Sequence, residues 1–201
     1  QADCAKVSKI RKKYAKKLTE EVQKALIDLN FLDVRFTMEF KEAENPNANG
    51  MDDAEFLIST NPGEPLKPLS KVASGGELSR IMLAMKAVLA QNDSIGTLIF
   101  DEIDAGISGR TAQMVSEKMN VIGKSHQVIC ITHLPQIAAM ADVHFLIEKS
   151  VVGENTVSRI RPLEKEESVA ELARMIGGVA ITDTVLKSAR EMKELALHEK
   201  K

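Results

Sequence analysis

Aromatic residues make up only 3% of this 201-residue chain, with no Trp and a single Tyr, Tyr14. A single-stranded nucleic-acid binder built on stacking platforms needs more than that. Cysteine is almost as scarce. Cys4 and Cys130 are too few for a disulfide scaffold, and neither forms a close Cys/His pair with zinc spacing. That usage fits a reducing cytoplasm. There is no signal-peptide pattern and no apolar run long enough to cross a bilayer, so no membrane partner is expected. The formal net charge is only −2, which gives no support for DNA binding by the body as a whole. Internal repeats and low-complexity tracts are absent as well.

What is present reads as an ordinary globular chain. Hydrophobic residues are 44% and charged residues 28%, enough for one or two domains with a real core. Charge is unevenly spread: Lys6, Lys9, Arg11, Lys12, Lys13, Lys16 and Lys17 stand together with no acid among them. Apolar residues at Val7, Ile10, Tyr14, Leu18, Val22, Ala25 and Leu29 fall on one face of a helix. The early part of that helix is polar on its other sides, as in a helix reaching into a coiled coil. The chain opens directly in this charged helical pattern, as a piece of a longer protein would.

Strict alternation over Val34–Phe40 predicts a half-buried strand, the turn-rich Asn45–Gly50 a turn, and Ala54–Ser59 the second arm of a hairpin. Asn61–Pro68 predicts a loop. Helices are expected over Gly75–Ala90, Gly109–Ile122, Pro135–Ala141, Lys165–Ile176 and Asp183–His198. Thr97–Phe100 and Gln127–Ile131 are short apolar runs that predict buried strands. Val143–Glu148 and Thr156–Arg161 flank Gly153-Glu154-Asn155 and predict another hairpin. Strands alternating with helices argue for an α/β fold with a partly parallel sheet. In such sheets ligands sit beyond the carboxyl ends of the strands, and two central strands here end in Asp101-Glu102 and in Thr132-His133.

Three local patterns carry chemistry. Ser74-Gly75-Gly76-Glu77 reads either as a capping box, Ser74 and Glu77 bonding each other's backbone N–H, or as a phosphate site at a bare helix N-terminus. Two glycines are costly in a helix and make sense where something must approach the backbone closely. Thr97-Leu98-Ile99-Phe100-Asp101-Glu102 reads either as a strand ending in solvent or as a Walker B strand. In the second reading Asp101 holds Mg²⁺ and Glu102 polarises the attacking water, since phosphoryl transfer needs metal, positioning and charge neutralisation. His133, at the end of a neighbouring strand, suits a phosphate sensor because it can donate a hydrogen bond with little net charge near neutral pH. His126, His144 and His198 lack such a context.

The order of these patterns is more specific than any one of them. Lys71-Val72-Ala73-Ser74-Gly75-Gly76-Glu77-Leu78-Ser79-Arg80 resembles the signature motif of ABC-type ATPases as it stands in the chromosome-maintenance branch. Phe100-Asp101-Glu102-Ile103-Asp104 has Ile-Asp where transporter ATPases usually have Pro-Thr. The resemblance covers about Asn30 to Ile176. It implies the C-terminal lobe of an ABC/SMC-type P-loop ATPase head, a mixed sheet flanked by helices. Residues 1–30 would be the end of a coiled-coil arm and residues 31–201 the lobe. It further implies heads that dimerise around ATP, with Ser74, Gly75, Gly76 and Glu77 contacting in trans the nucleotide held by the other head. Asp101 would be the magnesium residue, Glu102 the catalytic base, His133 the switch histidine, and Asp104 to Ser108 the D-loop. Related families often carry Asp in place of Ser108, which leaves the role of that residue open. It implies double-stranded DNA as the macromolecular partner, in double-strand break repair.

No GxxxxGK[ST] occurs in the chain. In the family those amides and that lysine hold the β- and γ-phosphates, so the chain alone is expected to hydrolyse essentially no ATP. Two other readings stay open: a transporter ATPase subunit, against which Ile103-Asp104 and the basic helix speak, and a non-catalytic dimerisation module.

Overall fold

The structure is a computed structural model that describes residues 2–72, 74–90, 94–107, 109–153 and 155–200. Ala73, Gln91–Asp93, Ser108 and Glu154 lie outside the described residues, and with them the expected role of Ser108 and the middle of the 153–155 turn. The rest falls into two compact units, one within Gln1–Ile107 and Val121–Ile131, the other within Ser108–Asn120 and Thr132–Lys201.

In the first unit a long helix, α1 (Ala2–Asp28), packs on a hairpin of β1 (Arg35–Asn47) and β2 (Gly50–Ser59) and on α2 (Gly75–Leu89). The apolar face of α1 divides. Val22, Ala25 and Leu26 are buried, whereas Val7, Ile10 and Tyr14 are exposed. Among the described residues the buried side chains of α1 run from Ala15 to Leu26. The hairpin is longer than its alternation predicts: pairing continues past Phe40 to Glu42↔Asp52 and, after a register shift, Asn47 pairs with Gly50 around a two-residue turn. There the strands are held by ladder hydrogen bonds and side-chain anchors to α1 rather than by a buried face. Within the expected 61–68 loop, Lys67–Pro68 forms a short β3 against Leu57 and Ile58. Pro68 stands at this sheet edge, where a missing donor costs little.

β4 (Thr97–Phe100) and β5 (Gln127–Cys130) pair in parallel, Ile99 opposite Ile129. The expectation that both are fully buried needs correction. Phe100 is buried, but Ile99 is 67% exposed and Ile129 44%. The apolar runs are those of strands meant to be covered on both faces, and this chain covers one.

The second unit holds α4 (Pro135–Ala139), the hairpin β6 (Phe145–Val152) and β7 (Asn155–Pro162), α5 (Lys165–Gly177) and α6 (Asp183–Glu199). Its core is small-residue packing of Ala138, Ala139, Val169, Leu172, Ala173 and Ala189. A reciprocal capping box, Glu164 with Glu167, starts α5, and Thr182 caps α6. The Lys193 ammonium donates to the carbonyls of Ala139 and Ala141, at 2.9 and 3.0 Å, closing the C-terminal end of α4. The unit boundary cuts α3 (Gly109–Gly123). Among the described residues the strands form three small sheets, so the α/β class holds, with the parallel pairing confined to β4–β5. No helix among these residues is long and apolar enough to cross a membrane.

Candidate functional site

Ser74 caps α2, which is one half of the capping box that the sequence offers. Its backbone is extended, and its hydroxyl accepts the Glu77 N–H at 3.4 Å. By position, the Gly75 and Gly76 N–H groups precede the first intrahelical partners, so the positive end of the helix favours a negative group there. Gly75 is exposed and Gly76 is buried.

The approach that the two glycines permit comes from the chain itself. A Cβ on Gly76 would lie 2.9 Å from the Ala105 Cβ and 3.1 Å from the carbonyl oxygens of Ala105 and Glu102. A Cβ on Gly75 would lie 3.0 Å from the Glu102 carboxylate. The start of α2 therefore rests on the turn after β4. The glycines are required by that packing, whatever ligand also approaches them.

The turn has its own internal order. The Asp101 carboxylate accepts the Glu102 N–H at 3.0 Å, and the Glu102 carbonyl accepts the Ala105 N–H at 3.1 Å. Glu102 has φ +55°, a left-handed conformation that an unbranched acid adopts only at a cost of order 1 kcal/mol. Strain of this kind persists where surrounding contacts over-determine it, and it clusters at working sites. The side chains of Asp101 and Glu102 are exposed, while Asp104 is only 4% exposed. A negative field reaches the end of β5. Burial pushes the Cys130 thiol up to about 12, and Asp104 and Asp101 add to the effect. A thiol so raised is no thiolate nucleophile near neutral pH.

The structure thus brings Ser74 to Glu77 together with Asp101 to Ala105. His133 is exposed and belongs to the second unit, one residue before Leu134, which caps α4. The Thr132 hydroxyl accepts the Leu134 N–H at 3.0 Å and shapes that entry. Motif reading missed Ser79 and Arg80. The Ser79 hydroxyl donates to the Asp101 carbonyl at 3.1 Å, and the Arg80 guanidinium to the Ala105 carbonyl at 3.0 Å. A serine and an arginine one turn into an otherwise apolar helix were the available signal.

The chain is 47% identical to the DNA repair protein RecN of Bacillus subtilis, over 94% of this chain and 36% of that protein. It is 40% identical to the DNA repair protein RecN of Vibrio cholerae, over 93% of this chain and 34% of that one. The chain belongs to the RecN family. It spans about a third of the length of these RecN relatives. No family model matches it. Its fold is that of SMC heads. The head domain with coiled coil and joint from Pyrococcus yayanosii superposes with a TM-score of 0.56 at 22% identity, over 77% of this chain and 28% of that one. The head domain with an extended coiled coil from Pyrococcus furiosus gives 0.52 at 22% identity, over 79% and 37%. Against that background the RecN-family chain carries a helix start and an acidic strand end in direct contact.

Proposed function

We propose that this chain is the C-terminal segment of the ATP-hydrolysing head of a DNA repair ATPase of the RecN family, working on double-stranded DNA in the cytoplasm, at the nucleoid. The observation that carries the reading is the packing of the Ser74-Gly75-Gly76 helix start on a strained turn holding Asp101 and Glu102. A helix start suited to an anion, packed on a turn with two carboxylates, suits a head that offers the first to the nucleotide of a partner head and the second to its own. The donor set fits Mg²⁺, which is bound by one or two carboxylates plus substrate phosphates rather than by an all-protein cage. No cluster of three or more acidic, His or Cys ligands occurs among the described residues. When bound, Mg²⁺ would neutralise phosphate charge. In this reading Asp101 holds the cation and Glu102 orients the attacking water and accepts its proton. His133 donates a hydrogen bond to the phosphate being transferred, and Asp104 lies at the junction of two heads. Ser74 and the two glycines act on the nucleotide gripped by the partner head.

The same reading divides the chain into the end of an arm, residues 1–30, and a lobe, residues 31–201. The exposed Val7, Ile10 and Tyr14 stripe supports the arm. Several bases of α1 already have intramolecular partners: Lys6 with Asp3, Arg11 with Asp52 and Lys17 with Glu21. Phosphate contacts to DNA would fall to the remaining lysines.

The test is Glu102→Gln in the full-length protein. Turnover should fall by about a hundredfold or more, with ATP retained and a closed dimer accumulating on size exclusion. Normal cycling by this variant would remove Glu102 from the role.

A further inference from the structure

The turn that carries the acidic pair is held at both ends by neighbouring residues of α2. Ser79 bonds the carbonyl of Asp101, and Arg80 bonds the carbonyl of Ala105. Arg80 is 9% exposed, and its guanidinium carbon lies 5.3 Å from the centroid of the Phe31 ring. Phe31, 5% exposed, follows α1 directly, and its N–H donates to the Leu26 carbonyl at 3.1 Å. Burying a guanidinium is unfavourable unless its charge and donors are used. Burial lowers the pKa of Arg80, with Glu77 acting in the opposite sense, and its Nε has no hydrogen-bond partner among the described residues. An apolar side chain would fill this space without those penalties. Arginine supplies what an apolar residue or a lysine cannot: a flat face for the ring and a donor fixed in the plane of that face.

We propose that Arg80 is a positioning residue that couples the end of α1 to the backbone of the Asp101–Ala105 turn. Phe31 sets the plane of the guanidinium, and the guanidinium sets where the Ala105 carbonyl can lie. Through the Ala105 N–H to Glu102 carbonyl bond, it sets the backbone of Glu102. A tilt of α1 at its C-terminal end then reaches the acidic pair through two side chains and one turn. This inference rests on the ATPase reading for its kinetic consequence and on geometry alone for its structural one.

Both halves are tested in the full-length protein with Arg80→Lys, Arg80→Met, Phe31→Leu and the Arg80→Met/Phe31→Leu pair. The first readout is amide hydrogen exchange without nucleotide. Arg80→Met should raise exchange at Ala105 and Ile107 at least tenfold, with β4 and the centre of α2 within twofold of wild type. Phe31→Leu should do the same more weakly, and the double variant should be no worse than Arg80→Met. Exchange rising in step throughout β4 and α2, or a double variant equal to the product of the singles, overturns the coupling. The second readout is steady-state turnover. Arg80→Met should lower kcat at least tenfold with the KM for ATP within threefold, and Arg80→Lys should fall between it and wild type. A KM change with kcat intact overturns the positioning role. A wild-type protein without ATP turnover would instead defeat the ATPase reading, and the exchange measurement would still decide the coupling.

Discussion

At the scale of single residues, the two glycines of the signature run are not equivalent. Alanine at position 76 would place a methyl group 2.9 Å from the Ala105 Cβ and 3.1 Å from two backbone carbonyls. Backbone cannot step aside as a side chain can, so overpacking there should cost about 1–3 kcal/mol. That exceeds the helix-propensity gain of up to about 1 kcal/mol. At position 75 the obstacle is the end of the Glu102 side chain at 3.0 Å, which can rotate away. Gly75→Ala should therefore change the unfolding free energy by less than about 0.5 kcal/mol, and Gly76→Ala should lower the denaturation midpoint clearly. Equal effects on chemical denaturation would mean that the α2 start does not rest on the turn. The motif made both glycines visible. Which of them the fold itself requires depends on a contact between residues 76 and 105, and nothing local to either position encodes it.

At the scale of elements, the β1–β2 hairpin braces the first half of α1. Asp52, near the hairpin tip, accepts the Ser8 hydroxyl at 2.6 Å and the Arg11 guanidinium at 3.2 Å. The Lys12 ammonium stands 5.8 Å over the Phe40 ring. These anchors explain why the hairpin outruns its hydrophobic alternation, since pairing there is held by polar contacts that a period-two pattern does not register. The Ser8 hydrogen bond, followed by Arg11, holds the Asp52 carboxyl below its usual value, against the opposing effect of burial. A carboxylate with a depressed folded pKa stabilises docking fully above its unfolded value of about 3.9. That stabilisation is lost as pH falls through the folded value. Hydrogen exchange at residues 44–52, corrected for intrinsic rates, should therefore accelerate as pH drops below about 4. Asp52→Asn should accelerate it at neutral pH and flatten the acid dependence. An unchanged acid profile in Asp52→Asn would assign the effect to other carboxylates.

At the scale of the whole molecule, element types were largely legible because helices and strands are local periodicities. Burial was not, because it depends on what covers each face. Thr97–Phe100 and Gln127–Ile131 have the composition of strands covered on both sides. Yet Ile99, Ile129 and Ile131 are 67%, 44% and 49% exposed, on one face by alternation and by the Ile99↔Ile129 register. A parallel pair with one bare isoleucine face is a sheet lacking a layer. The chain spans about a third of the length of its RecN relatives, and we propose that a P-loop segment of the kind those proteins carry supplies that layer. The physical consequence is measurable. The isolated chain should self-associate in a concentration-dependent way, because a bare apolar face and open strand edges invite pairing. Ile99→Thr with Ile129→Thr should reduce that association in sedimentation velocity without unfolding the chain. Adding a separately made P-loop segment should suppress it in the unsubstituted chain and bring ATP turnover that neither piece has alone. If the P-loop segment binds but leaves Ile99 and Ile129 as reactive to surface labelling of cysteine substitutions as before, the bare face is not where the two pieces join. The acidic turn beside it would then have to complete its site by another surface.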